Sequence, residues 1–267
     1  SIDYNPCQGI VAHNNAYLTH MPTAPLSNWL QSFWQLNVPE GQYSYRSVPD
    51  NCIDLIINLA APEDTFVVTP FSTSIVFELS GPASYFGIRF HPLAHQGIIT
   101  APIGAWGSRD NIVDPSEILP APFLSELLDE AQREMSFQHR CEAFSKILLN
   151  KIGDFEIDVR LMRYVQYCHQ NIASSVNLSD KQCSEFGVSA RQLRRLSAQY
   201  LGLSPREFAK VLRFQHVLKG LNTGAGGSIW ADAFYDQPHF IRDFKSITGI
   251  TPNEYRNSSV LYNTGSI

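Results

Sequence analysis

Three guanidinium side chains crowd one short stretch of the sequence, RQLRRL, as Arg191, Arg194 and Arg195. A guanidinium offers paired N–H donors in a fixed fork, and that fork matches paired acceptors such as O6 and N7 of guanine, a contact worth about 1 to 3 kcal/mol of discrimination. Leu193 and Leu196 fall at the spacing of a buried helix face, so the arginines project from the other side. The same pattern, taken alone, also describes a solvated helix surface. Two further sets could do chemistry. His91 and His95 in HPLAH stand four apart, which on one helical turn could share a metal, although Pro92 and the lack of a third ligand fit a surface or core pair better. Asp50, Asn51 and Asp54 in PDNCIDL either hold a polar ligand and act as acid and base, or form a turn with Asn at its tip followed by a hydrogen-bonded strand aspartate. No GxSxG, GxxxxGK[ST] or GxGxxG motif occurs, so the sequence calls for no catalytic residue, no cofactor and no metal, and an enzyme on the N-terminal half with the two histidines as ligands is the weaker reading.

The elements that would position the arginines are written twice. GLSPREF at 202–208 returns 47 residues later as GITPNEY at 249–255. Ser204 and Thr251 are N-cap residues, Pro205 and Pro252 occupy the first helical position, and Glu207 and Glu254 complete capping boxes. Gly202 and Gly249 fit the left-handed residue that closes the preceding helix. The match extends upstream, pairing Ser189 with Asp236, Leu193 with Phe240 and Arg195 with Arg242. Before the first copy, LSDKQCSEFGVS predicts a short helix from about Ser179 to Phe186, with Cys183 at a helix crossing and Gly187 as the tight turn. A helix, a short glycine-containing turn and a capped arginine-rich helix make a helix-turn-helix, whose second helix enters the major groove of DNA. In the second copy Gln237, His239 and Arg242 take the corresponding turns. Two such readers on one chain would address groove segments about one helical turn, ~34 Å, apart.

GVSARQLRRLSAQYLGLSPREF followed by FYDQPHFIRDFKSITGITPNEYR resembles the C-terminal double helix-turn-helix domain of AraC-type bacterial transcription regulators, over roughly residues 158–256. The resemblance implies base-reading roles for Arg191, Arg194 and Arg195 in the first recognition helix and for Gln237, His239 and Arg242 in the second. VPDNCIDLIINL and SGPASYFGIRFHP look like the regulatory domain that precedes this DNA-binding domain in a subset of the family, without implying a particular ligand. Three departures stand out. Ser197 replaces a usual core aromatic, which predicts looser packing of the first recognition helix. Pro238 lies near the start of the second. Between Ile229 and Phe234 the family has about eight residues where this chain has four, so either a supporting helix is about one turn short or residues are missing from the sequence there. A shortened helix keeps open the alternative of a protein-interaction module with impaired DNA binding.

The rest of the chain frames these elements. Alternating runs such as FWQLNV, CIDLIINLA, TFVV, SIVFEL and SYFGIRF, separated by turn residues including Pro62, Pro70 and Gly81, predict an antiparallel β-barrel or sandwich over residues 1–114. Phe123, Leu124, Leu127, Leu128 and Ala131, then Phe144, Ile147 and Leu148, predict two amphipathic helices in a connector at 115–155, which either cover the barrel or form a dimer seam. Residues 156–256 are expected to be all helical, giving an α+β chain with a C-terminal all-α domain, and 257–267 a loose tail. The net charge of −5 divides unevenly: residues 156–256 hold 13 Lys and Arg against 9 Asp and Glu, hence +4, leaving −9 elsewhere. The helical part is therefore the candidate for a polyanion. Five scattered cysteines without CxxC spacing, no secretory signal and no membrane-length apolar run predict a cytoplasmic protein with reduced thiols and no membrane partner. The partners implied are double-stranded DNA, RNA polymerase, a small-molecule effector and a second copy of the chain.

Overall fold

A computed structural model describes residues 4–9, 11, 16–172, 178–223 and 237–264. The N-terminal part is one antiparallel sheet built around two long strands, β2 (Leu30–Ser47) and β5 (Ile75–Phe90), which pair from Leu30↔Phe90 to Ser47↔Ile75. Strands β1 (Tyr17–His20), β3 (Ile53–Asn58), β4 (Phe66–Val68) and β6 (Ile112–Val113) extend it in the order β1-β2-β5-β3-β4-β6. Its end strands β1 and β6 do not pair, so the sheet is open and sandwich-like rather than a closed barrel. Gly81, expected to separate two strands, instead lies within β5. The ladder shifts register between Val38 and Gly41 opposite it, and a Cβ on Gly81 would sit 1.6 Å from the Pro39 carbonyl oxygen, so only glycine admits the close approach.

Each strand alternates, and each face of the sheet is buried by a different set of helices. Phe33, Leu55, Phe86 and Ile88 point to one side, where helices α1 (Ala121–Ala131) and α2 (Phe137–Leu149) cover them through Phe123, Leu127, Phe144 and Leu148. The Phe86 and Phe144 rings lie 4.9 Å apart. The connector stripes are thus spent on the sheet, as the covering alternative requires. Trp34, Leu36, Tyr43, Tyr45 and Ile56 point to the other side and share one core with Phe214, Leu218, Phe240, Phe244, Ile247 and Tyr255. That second set comes from α6 (Pro205–Thr223), α7 (Gln237–Thr248) and α8 (Pro252–Arg256). A third core unites α3 (Val159–Gln170), α4 (Asp180–Glu185), α5 (Ala190–Tyr200) and the start of α6 around Tyr164, Cys183, Leu193 and Phe208.

Residues 257–264 depart from the loose tail expected of them. Val260 and Leu261 are buried, and β7 (Leu261–Asn263) pairs antiparallel with β2 through Tyr43↔Asn263 and Tyr45↔Leu261. The cause lies in β2, which runs past β1 and leaves a free edge beside an apolar face that Leu261 completes. Its Ser and Asn content marked this segment as loose, and two apolar residues outweighed it.

Candidate nucleic-acid interface

The helix-turn-helix geometry rests on residues the sequence marks. Ser179 caps α4 by accepting from the Gln182 amide, and Gly187 turns the chain at φ +82°. Ser189 and Gln192 form a reciprocal capping box at the start of α5, and the Ala190 amide donates to Asp180 Oδ1 at 3.0 Å, tying α5 to α4. Gly202 at φ +71° closes α5, and Ser204 with Glu207 opens α6 through a second capping box, with donors at 2.8 and 3.2 Å. The second copy repeats this at Gly249, φ +82°, and at Thr251 with Glu254, at 2.7 and 3.2 Å. Identical local chemistry therefore fixes the C-terminal end of both arginine-bearing helices.

Those helices turn their apolar faces inward and their polar faces out. In α5, Leu193, Leu196 and Ser197 are buried while Arg191, Arg194 and Arg195 are exposed. In α7, Phe240, Phe244 and Ile247 are buried while His239 and Arg242 are exposed, and Arg242 Nη2 lies 3.0 Å from His239 Nδ1. Gln237 begins α7, with Pro238 second, where the missing amide breaks no helical hydrogen bond. The interval from Ile229 to Phe234 and the Asp236 cap lie outside the described residues. Ser197 is fully buried, but its Oγ donates to the Leu203 carbonyl at 2.7 Å, so a hydrogen bond across the closing turn replaces the packing an aromatic would supply.

Helices α6 and α7 are docked on the N-terminal sheet, which sequence reasoning missed. Arg46 Nη1 donates to the Thr248 carbonyl at 2.6 Å, placing a cation at the C-terminus of α7. The Ser74 amide donates to the Ile247 carbonyl at 2.8 Å, and Asn51 Nδ2 to the Phe208 carbonyl at 3.1 Å. Gln215 in α6 donates to the Pro49 carbonyl at 2.6 Å and accepts from the Cys7 amide at 2.8 Å, so residues 4–9 also bridge the two parts. Such long-range polar pairs carry no local spacing signal.

The remaining candidates resolve into buried structure. Asn51 sits at φ +64°, the turn tip the sequence offered as one alternative. Asp54 accepts two bonds from Arg89 at 2.9 Å each, and Arg89 Nε lies 3.2 Å from Asp50. Burial pushes the Asp50 carboxyl above its ordinary range despite Arg89. Burial also disfavours the Arg89 cation, but Asp54 and Asp50 outweigh it and hold its pKa above the usual value. Arg89 itself had a sequence signal that went unused: it is a charge at an inward position of an alternating strand. His91 Nε2 meets the Ser27 carbonyl at 3.1 Å, whereas His95 is wholly buried edge-on to Trp106 and burial holds it down to about 4. Among the described residues no group of three His, Cys, Asp or Glu side chains gathers as a metal site, and no helix is long and apolar enough to cross a membrane.

Two glycine-closed helices with exposed basic residues, beside an antiparallel sheet, define a helix-turn-helix protein with an appended β-rich domain. Residues 182–258 match the family described as helix-turn-helix domain, and residues 18–111 match a domain of unknown function (DUF6597). The chain thus joins a β-rich N-terminal region to a helix-turn-helix domain. It is 28% identical over 134 residues to the HTH-type transcriptional activator RhaS of Escherichia fergusonii, a match covering 49% of this chain and 48% of that one, so it spans about half the length of this relative. Among solved structures it is similar to ToxT from Vibrio cholerae, at 13% identity and a TM-score of 0.43 over 91% of this chain and 98% of that one. It is likewise similar to unsaturated fatty acid bound wild-type ToxT, at 15% identity and a TM-score of 0.40 over 92% and 97%.

Proposed function

We propose that the protein is a cytoplasmic, sequence-specific transcription regulator that reads duplex DNA with α5 and α7 and responds to a small molecule in its β-rich domain. The observation that carries this is that α5, exposing Arg191, Arg194 and Arg195, and α7, exposing His239 and Arg242, are each followed by the same left-handed glycine and capping box. Arg191, Arg194 and Arg195 read one major-groove segment; Gln237, His239 and Arg242 read the next. Helix N-termini and flanking lysines and arginines meet phosphates and set the register, while base edges give the sequence. RNA polymerase and a second copy of the chain are the protein partners this reading implies. Activation is the expected sense, since RhaS carries that description.

The test is a pair of single substitutions, Arg195→Ala and Arg242→Ala, each measured against a full panel of single-base operator variants. Each loses about 1 to 3 kcal/mol of specific affinity and relaxes preference at one base position, in a different half of the site for each variant. A uniform loss across all sequences would assign these residues to phosphates instead.

A further inference from the structure

The inward face of the sheet is not filled. Between β2, β3, β4 and β5 lies a cavity of about 60 Å³, walled by Trp34, Tyr45, Phe66, Phe77 and Tyr85. By volume it holds more than one water, at roughly 10 to 15 Å³ each. Asp50, Asp54 and Arg89 also line it. The charges there do not balance: two carboxylates face one guanidinium, and all three side chains are at most 15% exposed. Every Arg89 contact with an acid is already committed, to Asp54 at 2.9 Å twice and to Asp50 at 3.2 Å. The Asp50 oxygens also accept from Gln8 Nε2 and the Cys52 amide, both at 2.9 Å. One wall carries a further unmet demand. Trp34 lies so flat over Gly87 that a Cβ there would be 1.9 Å from its ring, and its indole N–H is buried without a partner.

This arrangement discriminates between ligand charges. An anion would add negative charge to a site that already sets two carboxylates against one guanidinium. A cation would complete the balance, and aromatic faces attract cations when water is excluded. We propose that this cavity is the effector site and that it takes a small cation, a primary or quaternary ammonium of a few heavy atoms. The inference rests on reading the N-terminal domain as effector-sensing. Burial raises the Asp50 pKa despite Arg89, and an arriving ammonium acts against that shift, so binding releases protons wherever Asp50 is still partly protonated.

The experiment uses the full chain without DNA, with methylammonium and tetramethylammonium as cationic probes and acetate as the matched anion. Thermal shift and calorimetry in two buffers of different ionisation enthalpy are the readouts. At least one cation stabilises the protein and the anion does not. Asp54→Asn weakens that binding about 10- to 100-fold, the range for a hydrogen bond to a charged group. Leu79→Trp, which fills the cavity without altering the carboxylates, abolishes binding and keeps the test open should Asp54→Asn fail to fold. Stabilisation by the anion equal to that by the cations, or no stabilisation by either cation, overturns the proposal. Cation binding by a protein that selects no DNA sequence would leave this site standing and remove the regulator reading instead.

Discussion

Replacing Arg89 by Met tests the energetics of the sheet interior. The guanidinium makes three contacts with carboxylates, at 2.9, 2.9 and 3.2 Å, and both it and Asp50 are 7% exposed. Methionine keeps much of the volume but leaves Asp50 and Asp54 facing each other unpaired. Breaking a buried ion pair from one side costs about 3 to 5 kcal/mol, a large part of the roughly 5 to 15 kcal/mol that holds a domain together. At about 2 to 4 °C per kcal/mol for a chain of this size, the melting temperature falls by roughly 6 to 20 °C. The loss depends on pH with a definite sign. Asp50 already titrates above its unfolded value because it is buried, and without Arg89 it titrates higher still. The folded state then holds a proton that the unfolded state has released, so stability is greatest at low pH and falls as pH rises from the ordinary carboxylate value through the folded one. Urea denaturation of Arg89→Met at pH 5 and pH 8 therefore shows the greater deficit at pH 8. Arg89→Met combined with Asp54→Asn loses less than Arg89→Met alone. A cost under about 1 kcal/mol, or a deficit that does not grow with pH, would refute the reasoning.

Other expectations follow from single contacts. His95 is held down to about 4 from 6.5 by burial, so its contribution is complete above pH 6.5 and is lost as pH falls toward 4, up to about 3 kcal/mol; His95→Phe flattens the acid limb of the stability curve in that window. Leu261 is fully buried in β7, and Leu261→Ala lowers unfolding free energy by about 2 to 5 kcal/mol, whereas a loose tail would show no change in a urea titration. Thr251→Ala removes the cap of α8 and costs about 1 kcal/mol, read by thermal melting.

The sequence displays the elements whose instructions are local. Caps, left-handed glycines and the inward leucines of α5 are each specified within four residues, so α5, the C-terminal end of α7 and the exposure of Arg191, Arg194, Arg195 and Arg242 are legible without coordinates. The strands are legible as alternation. Their joining is not: β5 continues through Gly81 because the opposite strand bulges, and nothing near Gly81 says so. What stays hidden is long-range. The Arg46 bond to Thr248, the Gln215 bond to Pro49 and the pairing of β7 with β2 link residues more than 150 positions apart, where no periodicity operates. The shared core of the sheet with α6 and α7 means that a fragment cut near residue 156 would expose Phe214, Phe240 and Phe244 to solvent on one side. Experiments on DNA binding therefore call for the full chain.

The most direct test of two readers on one chain is selection of random duplexes by the whole 267-residue chain at two salt concentrations, which separates specific recognition from phosphate-driven binding. Two short motifs about one helical turn apart, retained at the higher salt, are the predicted result. A single motif lost by Arg195→Ala but untouched by Arg242→Ala would confine reading to α5. No enriched sequence at either salt would contradict the central claim.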